Sequence, residues 1–288
     1  LAQICGKEKR GQWMSMYLGM LLFGSIFGPT FGGVLADMFD IRMPFFAYAL
    51  ITGLGIIPTL VLPNLANSQT EIPSFNLKQI QQDVRQVIAS PSFLSVTFAI
   101  FTLFFLRTGI RSTLVPLFAA NNLGLTSGDI GLVLTFGAIA TALTMTPIGS
   151  ISDRIGRKRP LAACLVLSAV SILFIHSATD ILTLSVIMMV YGAVVGLSGP
   201  SAAYVTDVSP PDKLEISMGV YRMISDSGFF VGPLLLGFVA DITATPVPGA
   251  SHSGLIEIAP FVLASIILII ALLVLSRARD PARETLNI

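Results

Sequence analysis

The sequence predicts an all-α, polytopic membrane fold, and three observations carry that prediction. Of 288 residues, 53% are hydrophobic and 11% carry a charge, well below the charged share of a soluble domain. The apolar residues come in runs long enough to cross a hydrocarbon layer of ~30 Å as helices, at about 20 residues per crossing. These runs show no apolar-polar alternation, which excludes strands as the spanning element.

Eight stretches meet the length test: Gly11 to Ala36, Met43 to Pro63, Ser92 to Ala119, Ile130 to Ser150, Pro160 to Ser177, Ile181 to Thr206, Lys213 to Ala240 and Ile258 to Ser276. Cations stay preferentially in cytoplasmic loops, so their positions set the expected orientation. Lys7, Lys9, Arg10, Lys78, Arg85, the cluster Arg154 to Arg159, Lys213 and the tail arginines Arg277, Arg279 and Arg283 share one side, whereas the opposite loops hold only Arg42. Both termini are therefore expected in the cytoplasm, with the chain integral to the plasma (inner) membrane.

Composition also excludes functions. A net charge of +1, with cations gathered at span ends, gives no footprint for nucleic acid. Cys5 and Cys164 make no disulfide framework, and no spacing suggests a metal. His176 and His252 lack partners for catalysis, and no Gly-rich phosphate loop is present. Neither an enzyme nor a cofactor is expected. The chain starts on Leu1 without a signal pattern, so it reads as a piece of a longer protein.

Residues 64–91 are the one long polar connection. Leu77, Ile80, Val84, Val87 and Ile88 recur at helical spacing, with Lys78, Gln82, Asp83 and Arg85 elsewhere on the wheel. A short amphipathic helix on the membrane surface or against the bundle follows, with a solvated linker as the alternative. Further on, Ser209 before Pro210, Pro211 and Asp212 resembles a helix cap at the start of the seventh span.

An internal repeat decides the architecture. GSIFGPTFGGVLAD (Gly24 to Asp37) returns as GFFVGPLLLGFVAD (Gly228 to Asp241) at a constant offset of 204. Upstream, Lys9, Met14 and Tyr17 return as Lys213, Met218 and Tyr221. The copies lie in the first and seventh spans, so the unit is six helices long. The expected organisation is residues 1–63 as the last two helices of one bundle, 64–91 as a linker, 92–276 as a complete six-helix bundle and 277–288 as a tail.

Between the second and third helices of the complete unit runs GSISDRIGRKRP, in which Gly149, Asp153, Arg154, Gly156, Arg157 and Lys158 fit G-x-x-x-D-R-x-G-R-K. With two six-helix units joined by a long loop, this resembles the major facilitator superfamily of secondary transporters. The resemblance covers the whole chain, placed on helices five to twelve of twelve. Gly24, Gly28, Pro29, Gly32 and Gly33 match a second family signature, associated there with proton-coupled exporters of drugs. It implies a secondary transporter working by alternating access, with a small amphipathic substrate, a proton as coupling ion and the lipid bilayer as surroundings. The alternatives are an importer of a metabolite, which Arg107 would serve by binding an anionic group, and a truncated product without transport.

The resemblance further implies that Asp153 gates the outward-facing state by engaging the start of the first span near Gly11 and Gln12. A purely topological anchor is the alternative. Pro29 and Pro233 each remove a backbone donor while the glycines admit a close neighbour, giving bent, tightly packed helices.

Charges inside spans are the remaining leads, because each is costly in hydrocarbon and turns toward a polar cavity. Arg107 and Arg111 share a face, ~22 Å and ~28 Å along the third span, where Arg111 can also snorkel outward. Arg222 and Asp226 can pair beside Tyr221 in the seventh span. Asp226 is the candidate for proton coupling, with a structural salt bridge as the alternative. Trp13 fits an interfacial aromatic belt, and Tyr17 either that belt or the cavity.

Overall fold

The structure, a computed structural model, describes residues 10–57, 77–246 and 254–280, with side chains throughout except at residues 10–18 and 22. Trp13 and Tyr17 thus lie on described backbone with side chains outside the description, and Lys7, Lys9, His252 and Arg283 lie outside the described residues.

Helix α1 (Arg10–Met38) and α2 (Met43–Leu54) form a hairpin. A short helix α3 (Leu77–Ile88) leads into α4 (Pro91–Leu106), which continues through a π-helical segment, Arg107–Leu114, into α5 (Val115–Leu123). Then come α6 (Ser127–Ile155), α7 (Lys158–Ile175), α8 (Ile181–Gly196), α9 (Ser201–Val208), α10 (Leu214–Thr243) and α11 (Ala259–Ser276). The loop Gly149 to Pro160, the chain's basic end, marks one end of the bundle; the opposite end is called the far end.

Seven of these units, taken across their interruptions, are long and apolar enough to cross a membrane. The eighth expected span, Met43 to Pro63, is a 12-residue helix within the described residues, its remainder lying outside them. Among the described residues the spanning architecture is all-helical. A two-residue ladder, Thr245–Pro246 against Gly254–Leu255, lies at the far end. It is held by Asn121 Nδ2 on the Gly254 carbonyl (3.1 Å) and by Asn122, which donates to the Ile256 carbonyl (3.0 Å) and accepts from its amide (2.9 Å).

Two spans differ from their expected form. The sixth, read as continuous from Ile181 to Thr206, breaks between Gly196 and Ser201. Pro200 cannot donate a helical hydrogen bond, and the chain crosses the gap in tight turns, such as Ser198 N to Val195 O at 3.0 Å and Gly199 N to Gly196 O at 3.1 Å. In the third, the wider π turn shows in side-chain bonds that skip five residues, Thr113 Oγ1 to Thr108 O at 2.9 Å and Ser112 Oγ to Arg107 O at 3.5 Å. No apolar periodicity signals either interruption.

Caps follow local chemistry. Thr126 and Asp129 form a reciprocal capping box at the start of α6, and Asp180 and Thr183 another at α8, each satisfying amides that the first helical turn leaves free. The cap expected of Ser209 is absent: its hydroxyl donates backward to the Val205 carbonyl at 2.6 Å, and Pro210 and Pro211 lead into a single tight turn before α10.

The core lies within the six-helix unit. Phe93, Phe105, Phe118, Phe261 and Tyr204 are fully buried where α4, α10, α11 and α7 meet. His176 packs on the rings of Phe118 and Phe261, with centroids 5.9 and 6.4 Å apart. Phe23, Phe27, Phe31, Phe45 and Phe46 on α1 and α2 point outward, as apolar residues do when the surroundings are hydrocarbon or another apolar helix.

Helix α3 packs against the bundle, with Val87 completely buried and Leu77 exposed. Asp83, expected on its polar face, is instead on the docked face. Lys213 Nζ meets Asp83 Oδ1 at 3.0 Å and also bonds Gln86, while Gln79 Nε2 lies 3.3 Å from both Asp83 oxygens. The Lys213 hydrogen bond holds the Asp83 carboxyl below the usual range, against the opposing effect of burial.

Candidate functional site

Three places in the molecule bring polar chemistry together: a central cavity, the seam between α1 and α6, and the basic end.

The cavity has a volume of about 350 Å³. Its walls come from α1 (Ser25, Ile26), α4 with the π segment (Leu103, Phe104, Arg107, Arg111), α6 (Gly137, Thr141, Met145), α8 with the break after it (Met188, Tyr191, Ser198) and α10 (Tyr221). The sequence pointed to Arg107, Arg111 and Tyr221, and the structure brings all three to this space. Both arginines ride on the π segment, where the turn widens by one residue, a distortion frequent at functional sites. Arg111 Nη2 reaches the Leu134 carbonyl at 3.4 Å, so it is turned inward rather than snorkelling to the far-end surface. Arg107 has no ion-pair partner among the described residues, and no Asp or Glu lines the cavity. Tyr191 was not singled out by sequence, being one aromatic residue in an apolar run. Its ring is 2% exposed and its hydroxyl has no hydrogen-bond partner among the described residues.

Arg222 and Asp226 form the expected pair, 3.4 Å apart, yet outside the cavity lining, with side chains 62% and 43% exposed. Arg222 also lies over the Phe104 ring, 5.9 Å from its centroid, a cation–π contact.

At the α1–α6 seam the Gly-Pro signature becomes an interface. A Cβ on Gly33 would lie 2.2 Å from the Ser127 carbonyl oxygen, and one on Gly131 would lie 2.4 Å from that of Pro29. The backbones therefore touch. Thr30 and Thr135 hydroxyls meet at 2.7 Å, and Thr135 Oγ1 also bonds the Ile26 carbonyl at 2.8 Å. At the far end Asp37 accepts from the amides of Ser127 (3.1 Å) and Gly128 (2.7 Å), a carboxylate set at the positive end of α6. Only the recurrence of Asp37 as Asp241 hinted at such a role; its partner lies ninety residues on.

At the basic end, Asp153 is exposed and pairs with Arg157 at 3.4 Å, four residues along its own chain. The engagement with the start of α1 expected from the family is not the contact seen: every described α1–α6 hydrogen bond falls between residues 26–37 and 127–135. The Gln12 side chain lies outside the described residues. Arg157 also pairs with Asp207 at 3.1 Å, a partner that sequence reasoning missed. Asp280 accepts from the amides of Arg157 (3.4 Å) and Lys158 (3.2 Å), while Lys158 Nζ reaches the carbonyls of Ser276 (2.7 Å) and Ala278 (2.5 Å). The turn depends on Gly156, whose φ is +90° and whose Cβ would sit 2.4 Å from Asp280 Oδ2. The Gly149 carbonyl accepts from the Ser152 hydroxyl at 2.7 Å, and Arg154 and Arg159 are exposed and form no ion pair among the described residues. Among the described residues no group of His, Cys, Asp or Glu is arranged to hold a metal.

A bundle of apolar spans thus encloses a partly polar cavity, with helix α1 set against it by close glycine contacts. The chain belongs to the Major Facilitator Superfamily, matching the family over residues 1–120 and 96–287. It is 25% identical over 252 residues to the uncharacterized MFS-type transporter MJ1560 of Methanocaldococcus jannaschii, covering 84% of this chain and 62% of that protein. It is 28% identical over 142 residues to the quinolone resistance protein NorA of Staphylococcus aureus strain MRSA252, covering 49% of this chain and 36% of NorA. The chain thus spans less than two thirds of the length of these curated relatives.

Proposed function

We propose that this chain is the greater part of a secondary active transporter that exports small amphipathic compounds by alternating access in exchange for protons. The cavity carries the reading: about 350 Å³, largely apolar, with a few polar groups, and walled by α1 as well as by helices of residues 92–276. Such a space suits a compound with an apolar body and one polar handle. The similarity to NorA, named for quinolone resistance, supports efflux of drug-like molecules.

In this reading Asp226 moves the coupling proton, with Arg222 at 3.4 Å as its ion-pair partner. The α1–α6 seam closes the far end when the cavity opens toward the basic end, and the Asp153–Arg157–Asp207 cluster gates the opposite motion. In this reading the basic end and both termini face the cytoplasm from the plasma membrane, an orientation that the clustered cations support.

The test uses everted membrane vesicles from cells expressing the full reading frame that contains this chain. An imposed acid interior is expected to drive accumulation of an amphipathic dye. Asp226→Asn is expected to abolish the proton dependence, and dependence retained at every pH removes Asp226 from coupling. Uptake by whole cells, without accumulation in everted vesicles, establishes import instead, a second reading favoured by the unpaired Arg107.

A further inference from the structure

Among the described residues, the cavity lining holds two guanidinium groups and no countercharge. Arg107 and Arg111 line it four residues apart on the π segment, and no carboxylate is among the described lining residues. Arg111 spends one donor on the Leu134 carbonyl at a long 3.4 Å, which leaves most of its five donors free. Arg107 has no described partner. Unpaired cations in a membrane interior are costly and are found where something answers them.

A second observation points the same way. Tyr191, on the facing helix α8, lines the cavity at 2% exposure with its hydroxyl unsatisfied. A buried hydroxyl without a partner is unfavourable, and phenylalanine would fill the same apolar wall without that penalty. The hydroxyl and the two guanidinium groups line the same cavity and together offer donors to one occupant.

We infer that the cavity selects amphipathic anions, seating a carboxylate between Arg107, Arg111 and Tyr191 with the apolar body against Leu103, Met145 and Met188. A guanidinium fork matches the two oxygens of a carboxylate, and the phenol donates a third bond. A cationic amphiphile of the same shape meets like charge with no carboxylate in the lining to compensate it. The inference rests on the carrier reading of this cavity and names the substrate class for it.

Three probes of one shape test it: 1-naphthaleneacetate, its neutral amide and 1-naphthylmethylamine, titrated calorimetrically into the protein from the full reading frame in nanodiscs. The acid is expected to bind at least tenfold tighter than the amide, and the amine weakest. Arg107→Gln is expected to bring the acid down to the variant's own affinity for the amide, and a cooperative thermal unfolding transition reports that the variant is folded. Arg107→Lys keeps part of the preference. Tyr191→Phe, which preserves the ring, weakens the acid several-fold and not the amide. Equal binding of the three probes, tightest binding of the amine, or binding of none overturns the inference. The same probes in proteoliposomes separate the two readings: acid that binds with this preference but never crosses leaves the anion site standing and removes the carrier. Amide and amine carried as fast as acid remove the anion selectivity and leave the carrier.

Discussion

The two copies of the Gly-Pro sequence, in α1 and α10, begin alike and are used differently. In α10, Gly228 and Gly232 press into α4: added Cβ atoms would sit 2.6 Å from the Phe101 carbonyl oxygen and 2.2 Å from that of Phe105. Their counterparts Gly24 and Gly28 in α1 have nothing within 4 Å. At the far end the pattern inverts. Gly33 abuts α6, whereas its counterpart Gly237 faces open space, and Asp37 caps α6 while Asp241 is exposed. The motif therefore serves two contacts, one inside a bundle through its central glycines and one between bundles through its last glycine and the aspartate. Each copy displays one of them here.

The largest expected effect lies at the central glycines. In this chain, Gly232→Ala is expected to destabilise by about 3 kcal/mol, the upper end of overpacking costs, because backbone on both sides must move. Gly28→Ala, in open space, is expected to stabilise by up to ~1 kcal/mol through helix propensity. Thermal unfolding in detergent gives the sign of each, and equal signs would collapse the distinction between the two halves of the motif.

At the seam, Gly33→Ala and Gly237→Ala form the mirrored pair. The first is expected to push α1 from α6, costing roughly 2 kcal/mol and lowering disulfide cross-linking between cysteines placed at Thr30 and Thr135. The second is expected to leave that cross-link unchanged. Asp37→Asn should then lower the unfolding temperature slightly as a lost charged cap, against no measurable change for Asp241→Asn; thermal shifts of the pair in parallel check this.

The smallest effect concerns where the second copy starts, at Lys213. Because Asp83 has its folded pKa lowered by Lys213, the stabilisation of α3 docking is present above the unfolded carboxylate pKa of about 3.9 and is lost as pH falls through the lower folded value. A spin-label distance between α3 and α10 should be short and pH-independent from neutrality down to that range in the native chain. Lys213→Met should lengthen it at neutral pH, with the two proteins converging in acid.

The spans, the repeat and the basic loop were legible in the sequence because each is a local property of composition or a direct self-match. The candidate site was legible in part: a charge inside an apolar run announces itself, which is why Arg107, Arg111 and Asp226 stood out. Tyr191 did not, since an unsatisfied hydroxyl exists only in three dimensions. Asp83 lay on the wrong side of the helical wheel, for the wheel weighs hydrophobicity and cannot see Lys213 waiting 130 residues on. The π segment and the break at Leu197 to Pro200 also escaped, as hydropathy is blind to how a continuous apolar run is wound.

That break has a mechanical meaning. Above it, α8 is fixed to α6, where a Cβ on Gly192 would sit 2.1 Å from the Gly137 carbonyl oxygen and Thr141 bonds the Gly192 carbonyl at 2.9 Å. Below it, α9 is fixed to the tail, Tyr204 Oη donating to the Arg279 carbonyl at 2.6 Å. The wall is thus a jointed lever with a separate anchor on each arm and its elbow, Ser198 and Gly199, at the cavity. The lower arm is tied through Tyr204 to the tail and the upper arm through Gly192 to α6, so a displacement of the tail would bear on the lower arm first.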